Sequence, residues 1–166
     1  MSARDDVLAR IAGAHRSAPP PDLPYAAIER GYRTTSDLGP DALVELLVER
    51  LVDYRAQVRR CAPDQVGATV AAALRDRGLR SLAVPPGLDR GWLVGTDVDV
   101  VRDEVDSPLG VDELDRLDGV LTACALAVAE TGTLVLDASP DQGRRVLSLI
   151  PDYHLCVVLP EQLCAD

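Results

Sequence analysis

Apolar residues follow two different periods along this 166-residue chain, and the change of period marks its organisation. Val7, Leu8, Ile11 and Ala12 recur at helical spacing behind Ser2, which stands three positions ahead of Asp5 as a cap. Residues 3 to 15 therefore predict a short amphipathic helix. The stretch 16 to 40 contains Pro19, Pro20, Pro21 and Pro24. Proline fixes φ and removes a donor, so this stretch reads as an extended arm. From Asp41, Leu43, Leu47, Leu51 and Tyr54 line one face of the best helix in the sequence. A short strand at 57 to 61 is expected next, then a helix from Asp64 to Arg77 with Asp64 as cap and Gly78 as stop.

Past residue 80 the period shortens. Ser81 to Val84 and Val98 to Val101 are β-branched apolar runs joined through Pro85-Pro86-Gly87, and a helical turn is expected at Val111 to Leu117. Gly119 to Val128, Leu134 to Leu136 and Tyr153 to Leu159 predict further buried strands, with a helix over 140 to 150. Strands alternating with helices imply an α/β three-layer sandwich with a mostly parallel or mixed sheet. It would form a single domain at 41 to 166, preceded by the N-terminal helix and proline-rich arm of 1 to 40.

Composition narrows the function. With 47% apolar residues the chain can build one core without a disulfide or structural metal. A net charge of −10 opposes phosphate neutralisation, so no nucleic-acid partner is expected. The sequence has no lysine, which excludes Schiff-base chemistry and a P-loop. It also lacks the G-x-G-x-x-G fingerprint of a dinucleotide site. Cys61, Cys124, Cys156 and Cys164 form no C-x-x-C pair, so neither a bound metal nor a cluster is expected. The N-terminus lacks a signal-peptide apolar region, and no apolar run reaches the roughly 18 residues of a membrane span. A cytoplasmic protein with reduced thiols and no membrane insertion follows as the expectation.

Three features carry chemistry. Ala129-Glu130-Thr131-Gly132-Thr133 joins two apolar strands and would present the Glu130 carboxylate and the Thr131 and Thr133 hydroxyls from a rigid frame. Gly132 permits positive φ or close approach of a ligand, and the plain alternative is a hairpin turn whose threonines bond to the backbone. In Ser139-Pro140-Asp141-Gln142-Gly143-Arg144-Arg145, Ser139 and Gln142 make a capping box with Pro140 at the first helical position. The N–H groups of such a helix start, with Gly143 and Arg144 or Arg145, could bind a carboxylate or phosphate, although Asp141 opposes an anion. His154 opens the last strand after Pro151 and titrates near neutrality, which suits acid or base work. His154 shares a strand face with Cys156, but two ligands do not make a metal site.

The run Asp118-Gly119-Val120-Leu121-Thr122-Ala123-Cys124-Ala125-Leu126-Ala127-Val128-Ala129-Glu130-Thr131-Gly132-Thr133, followed by Arg145 to His154, resembles the lactate utilization protein C family, or LUD domain. The A-E-T-G-T and R-x-L-S-L-x-P-x-x-H elements are specific together and weak singly. The resemblance implies a fold similar to that of ribose-phosphate isomerase, glucosamine-phosphate isomerase and CoA-transferase domains. It also implies a three-component bacterial system oxidising L-lactate to pyruvate, whose two partner proteins carry the iron-sulfur motifs. This chain would be the cluster-free component. Glu130, Thr131, Gly132 and Thr133 match the first element; Arg145 and His154 match the second. Family members continue past the strand ending near Leu159 into a Gly/Ser/Thr-rich segment, so the domain is expected to be C-terminally incomplete.

The leading expectation is a component of lactate oxidation acting on a small carboxylate substrate. Arg144 and Arg145 would hold the carboxylate and His154 would take the hydroxyl proton; no cofactor or electron acceptor is identifiable. One alternative is an acyl or CoA transferase, because Ala129-Glu130-Thr131-Gly132 is similar to the S-E-N-G turn that carries a nucleophilic glutamate. Another is a non-catalytic scaffold docking on the iron-sulfur partners through helix 41 to 54 or the arm. The mechanistic expectation is that turn, arginine-bearing helix and histidine converge on one cavity.

Overall fold

The computed structural model describes residues 2–17, 27–28, 30–31 and 36–166. The chain divides into two compact units, Met1–Thr34 and Thr35–Asp166. In the first, α1 (Ala3–Ser17) starts at the predicted cap. Ser2 N–H donates to Asp5 Oδ2 at 3.0 Å and Asp5 N–H donates to Ser2 Oγ at 3.3 Å. Val7, Leu8 and Ile11 on its apolar face remain about half exposed. The expected proline arm lies largely outside the described residues.

The second unit opens with α2 (Pro40–Asp53), whose Pro40 sits where a missing N–H costs nothing. Residues 57 to 61 form no strand; Arg59 and Arg60 pair instead with Asp76 and Glu45 at 2.7 and 2.8 Å. In α3 (Val66–Arg77) a 3-10 turn, Pro63–Gln65, precedes the helix, so Asp64 is not its cap. Gly78 ends it as expected, in the left-handed conformation at φ 70°.

Next come β1 (Ser81–Val84) and β2 (Asp99–Arg102). They pair in parallel, and parallel neighbours require a crossover rather than a tight turn. The crossover contains a 3-10 turn at Arg90–Leu93. After α4 (Val111–Asp115), β3 (Val120–Thr122) and later β6 (His154–Cys156) complete a four-stranded parallel sheet in the order β2-β1-β3-β6. Leu82, Val84 and Leu121 meet Val66, Val70 and Leu74 of α3 on one face. Ala83 and Val120 meet Leu114 of α4 and Leu147 on the other. Burial on both faces accounts for the unbroken apolar runs and gives the three layers that the sequence predicts.

The long apolar run from 119 to 128 is two strands. After β3 the chain bends where Ala123 N–H donates to Asp141 O at 3.1 Å. It continues as β4 (Leu126–Val128) in a second sheet, antiparallel to β5 (Thr133–Val135) and parallel to β7 (Leu163–Cys164). Buried Leu47 of α2 packs there with Cys124, Ala127 and Ala129. The sequence reading did not foresee β7, whose two residues offer no periodicity.

The helix expected over 140 to 150 is reduced to one 3-10 turn, Arg145–Ser148. Ala138 and Gly143 both adopt left-handed backbone, φ 65° and 69°, which an α-helix cannot contain. Ser139 Oγ donates to Asp137 Oδ1, and no capping box forms. Buried Gln142 instead accepts the Asp137 N–H at 2.7 Å and clamps a loop. A Cβ on Gly143 would lie 2.9 Å from Pro85 Cβ, so glycine lets this loop close over the end of β1. The anion-binding helix start predicted at Gly143 is therefore absent.

Arg144 anchors the same loop. Its Nε donates to Asp103 Oδ2 at 2.8 Å, and its Nη2 donates to Asp103 Oδ1 at 2.6 Å and Leu109 O at 2.9 Å. Asp103 is 3% exposed just past β2. Burial alone would raise its carboxyl pKa; the hydrogen bonds from Arg144 and Leu109 N–H, with the Arg144 charge, outweigh burial and hold it below the usual carboxylate value.

Leu121→Ala should lower unfolding free energy by about 2–5 kcal/mol in denaturant titration, because Leu121 is fully buried. Arg144→Met strands a buried carboxylate and should cost about 1–3 kcal/mol, below the fully buried range because Arg144 is half exposed. With a depressed folded pKa, the Asp103 contribution is complete above about pH 4 and is lost as pH falls through that folded value. Acid unfolding curves of wild type and Arg144→Met should converge there.

Candidate functional site

Strand pairing brings together side chains that are 32 positions apart. Val120 lies opposite His154 and Thr122 opposite Cys156, so Thr122, His154 and Cys156 share one face of the parallel sheet. Thr122 Oγ1 lies 2.8 Å from His154 Nε2. Thr122 is fully buried, and a buried hydroxyl without a partner would cost about 1–3 kcal/mol. Among the described residues no buried side-chain N or O atom lacks a hydrogen bond.

His154 is exposed by surface area, yet the protein packed around its ring desolvates the imidazole and lowers its pKa. Burial sets that direction, because the charged form is the one that burial penalises. His154 is therefore neutral at pH 7. Either ring tautomer satisfies this contact: with hydrogen on Nε2 the ring donates to Thr122 Oγ1, and with hydrogen on Nδ1 the threonine hydroxyl donates to Nε2. Only in the first arrangement does the ring keep a free lone pair, on Nδ1.

The remaining predicted residues are held elsewhere. Glu130 stands at the end of β4; its N–H donates to Ala165 O at 2.9 Å and its carbonyl accepts from Arg50 Nε at 3.2 Å. Thr131 Oγ1 donates to Thr133 Oγ1 at 2.8 Å across the turn. Gly132 has positive φ, 66°, and a Cβ there would stand 2.8 Å from Arg50 Cβ. The turn thus packs tightly against α2. Arg144 is committed to Asp103, whereas exposed Arg145 makes no ion pair among the described residues.

The anchors of these groups differ: Arg50 of α2 for Glu130, Asp103 beyond β2 for Arg144, and Thr122 of β3 for His154. Sequence reasoning placed His154 and Cys156 on one face but missed Thr122, Cys124 and Asp103. The signal for Thr122 was a lone hydroxyl inside an apolar run. For Asp103, 41 positions from Arg144, no local pattern exists. Among the described residues no group of three or more His, Cys, Asp or Glu side chains is arranged to hold a metal ion. No helix among them is long and apolar enough to cross a membrane.

Comparison with known proteins gives this geometry a family. Residues 111–166 match the LUD domain, which contains β3 to β7, Thr122 and His154. Over 153 residues the chain is 40% identical to lactate utilization protein C of Deinococcus radiodurans, covering 92% of this chain and 65% of that protein. It is 27% identical to an uncharacterized protein of Neisseria meningitidis serogroup B, covering 95% of this chain and 69% of that one. The crystal structure of a DUF162 family protein from Deinococcus radiodurans superposes with TM-score 0.71 at 42% identity, covering 78% of this chain and 76% of the other. The chain belongs to the LUD-domain family.

Proposed function

We propose that this protein acts in lactate utilization, as a cytoplasmic, cluster-free component in the oxidation of L-lactate to pyruvate beside iron-sulfur partner proteins. The similarity to lactate utilization protein C supports the process. The contact of His154 with buried Thr122 carries the chemistry. In this reading neutral His154 takes the hydroxyl proton of the 2-hydroxy acid on Nδ1 while Thr122 fixes the tautomer at Nε2. Arg145 holds the substrate carboxylate, in place of Arg144, which Asp103 occupies. Oxidation also breaks the C–H bond of the alcohol carbon; that hydrogen leaves as a second proton, and the two electrons pass to the redox centres of the iron-sulfur partners.

Deleting the gene in its host should abolish growth on L-lactate while sparing growth on pyruvate, and the wild-type gene should restore it. Unimpaired growth of the deletion strain on L-lactate contradicts the proposal. In a reconstituted system reducing a dye with lactate, His154→Gln should lower the rate by about 10²–10⁴-fold. Because the His154 pKa is lowered, the acid limb of the wild-type rate should fall below about pH 6.5, with full activity above it. An acid limb above that value, or an unchanged rate in His154→Gln, excludes His154 as the base.

A further inference from the structure

The outermost strand of the parallel sheet has the sequence of an interior one. In the order β2-β1-β3-β6, β1 and β3 each lie between two neighbours and are almost wholly buried. Among the described residues β6 pairs only with β3, yet Tyr153 to Leu159 is a run without proline, aspartate, glutamate or arginine. Continuous apolar runs belong to enclosed parallel strands, whereas edge strands are normally marked by charge or proline. The opposite edge, β2, follows that rule, with Asp99 and Arg102 at its two ends. None of the residues from Tyr153 to Leu159 is buried.

The backbone of β6 shows which groups lack a neighbouring strand. Val120 N–H donates to Tyr153 O at 2.8 Å, and Val157 N–H donates to Thr122 O at 2.9 Å. In a ladder alternate residues turn their polar groups to the same side, so Tyr153, Leu155 and Val157 face β3. The N–H and C=O groups of His154 and Cys156 face outward. Such a row is satisfied by water or by another extended chain.

We propose that this edge pairs with β6 of a second copy, antiparallel and across a two-fold axis at Leu155, joining the two four-stranded sheets into one. In that register His154 and Cys156 of one copy exchange N–H···O=C bonds with Cys156 and His154 of the other. Tyr153 falls opposite Val157, an aromatic and β-branched pair of the kind that stabilises sheets. Asp152 falls opposite Val158 rather than Glu161, so no two acidic side chains are set face to face. Charge favours this edge over other surfaces. A chain of net charge −10 repels its own copy, and the strip from Tyr153 to Leu159 brings no like charges together. The pairing goes beyond the proposed proton transfer and needs neither lactate nor a redox partner.

Light scattering on the purified full chain after size exclusion reads the mass, and hydrogen exchange followed by NMR reads the edge. The expected result is a species of twice the chain mass, in which the His154 and Cys156 amides are protected as well as those of Leu155 and Val157. Cys156→Pro removes an outward N–H at a position where an edge strand tolerates proline, so it should give a folded monomer with an unchanged far-UV circular dichroism spectrum. A wild-type chain that is monomeric at every concentration overturns the proposal and leaves the edge for a strand of a different protein. A dimer that survives Cys156→Pro, or one whose His154 and Cys156 amides exchange freely, overturns it as well. Should Cys156→Pro fail to fold, the wild-type mass and exchange pattern decide the question.

Discussion

A hydroxyl in the middle of a parallel sheet needs a partner, and Thr122 has one in His154. The hydrogen bond satisfies a group that strand pairing has removed from water. It also ties the histidine on the edge strand β6 to the neighbouring strand. Weakening this contact would leave a buried polar atom without its partner and release the histidine proposed to move a proton.

The rest of the fold places that contact. The apolar run after Asp118 can supply both sheets only because it bends at Ala123, where the Asp141 carbonyl takes the strand N–H. The loop supplying that carbonyl is held by Gln142 from within and by the Arg144–Asp103 pair at its far end. Ala138 sits in left-handed backbone in the same loop, a conformation that costs about 1–2 kcal/mol in a non-glycine residue. The surrounding hydrogen bonds offset that strain. The bend also places Cys124 in the apolar cluster around Leu47, so one change of direction creates the second sheet and its packing against α2.

Much of this was legible in the sequence where one rule acted alone. Ser81 to Val84 read as a strand because burial on both faces demands continuous apolar residues, and α2 followed from a clean helical period. The helix expected at 140 failed because a good local signal, Ser139-Pro140 with Gln142, lost to long-range demands. Asp137 took the serine hydroxyl, and the buried Gln142 amide bonded backwards rather than capping. The site was half legible. His154 was visible as a lone titratable strand residue, but Thr122 looked like one polar residue in an apolar run until β3 and β6 paired. Arg144 looked available for an anion because nothing near it in sequence shows the buried Asp103 that claims it.

Nitrogen-detected NMR of 15N-labelled histidine, titrated in wild type and Thr122→Val, tests the central claim most directly. The proposed role of His154 predicts that it carries its hydrogen on Nε2 and protonates below about pH 6.5 in wild type, with the tautomer preference lost in Thr122→Val. A wild-type His154 with hydrogen on Nδ1, or one indistinguishable from its Thr122→Val counterpart, would contradict the claim that the buried hydroxyl positions the base.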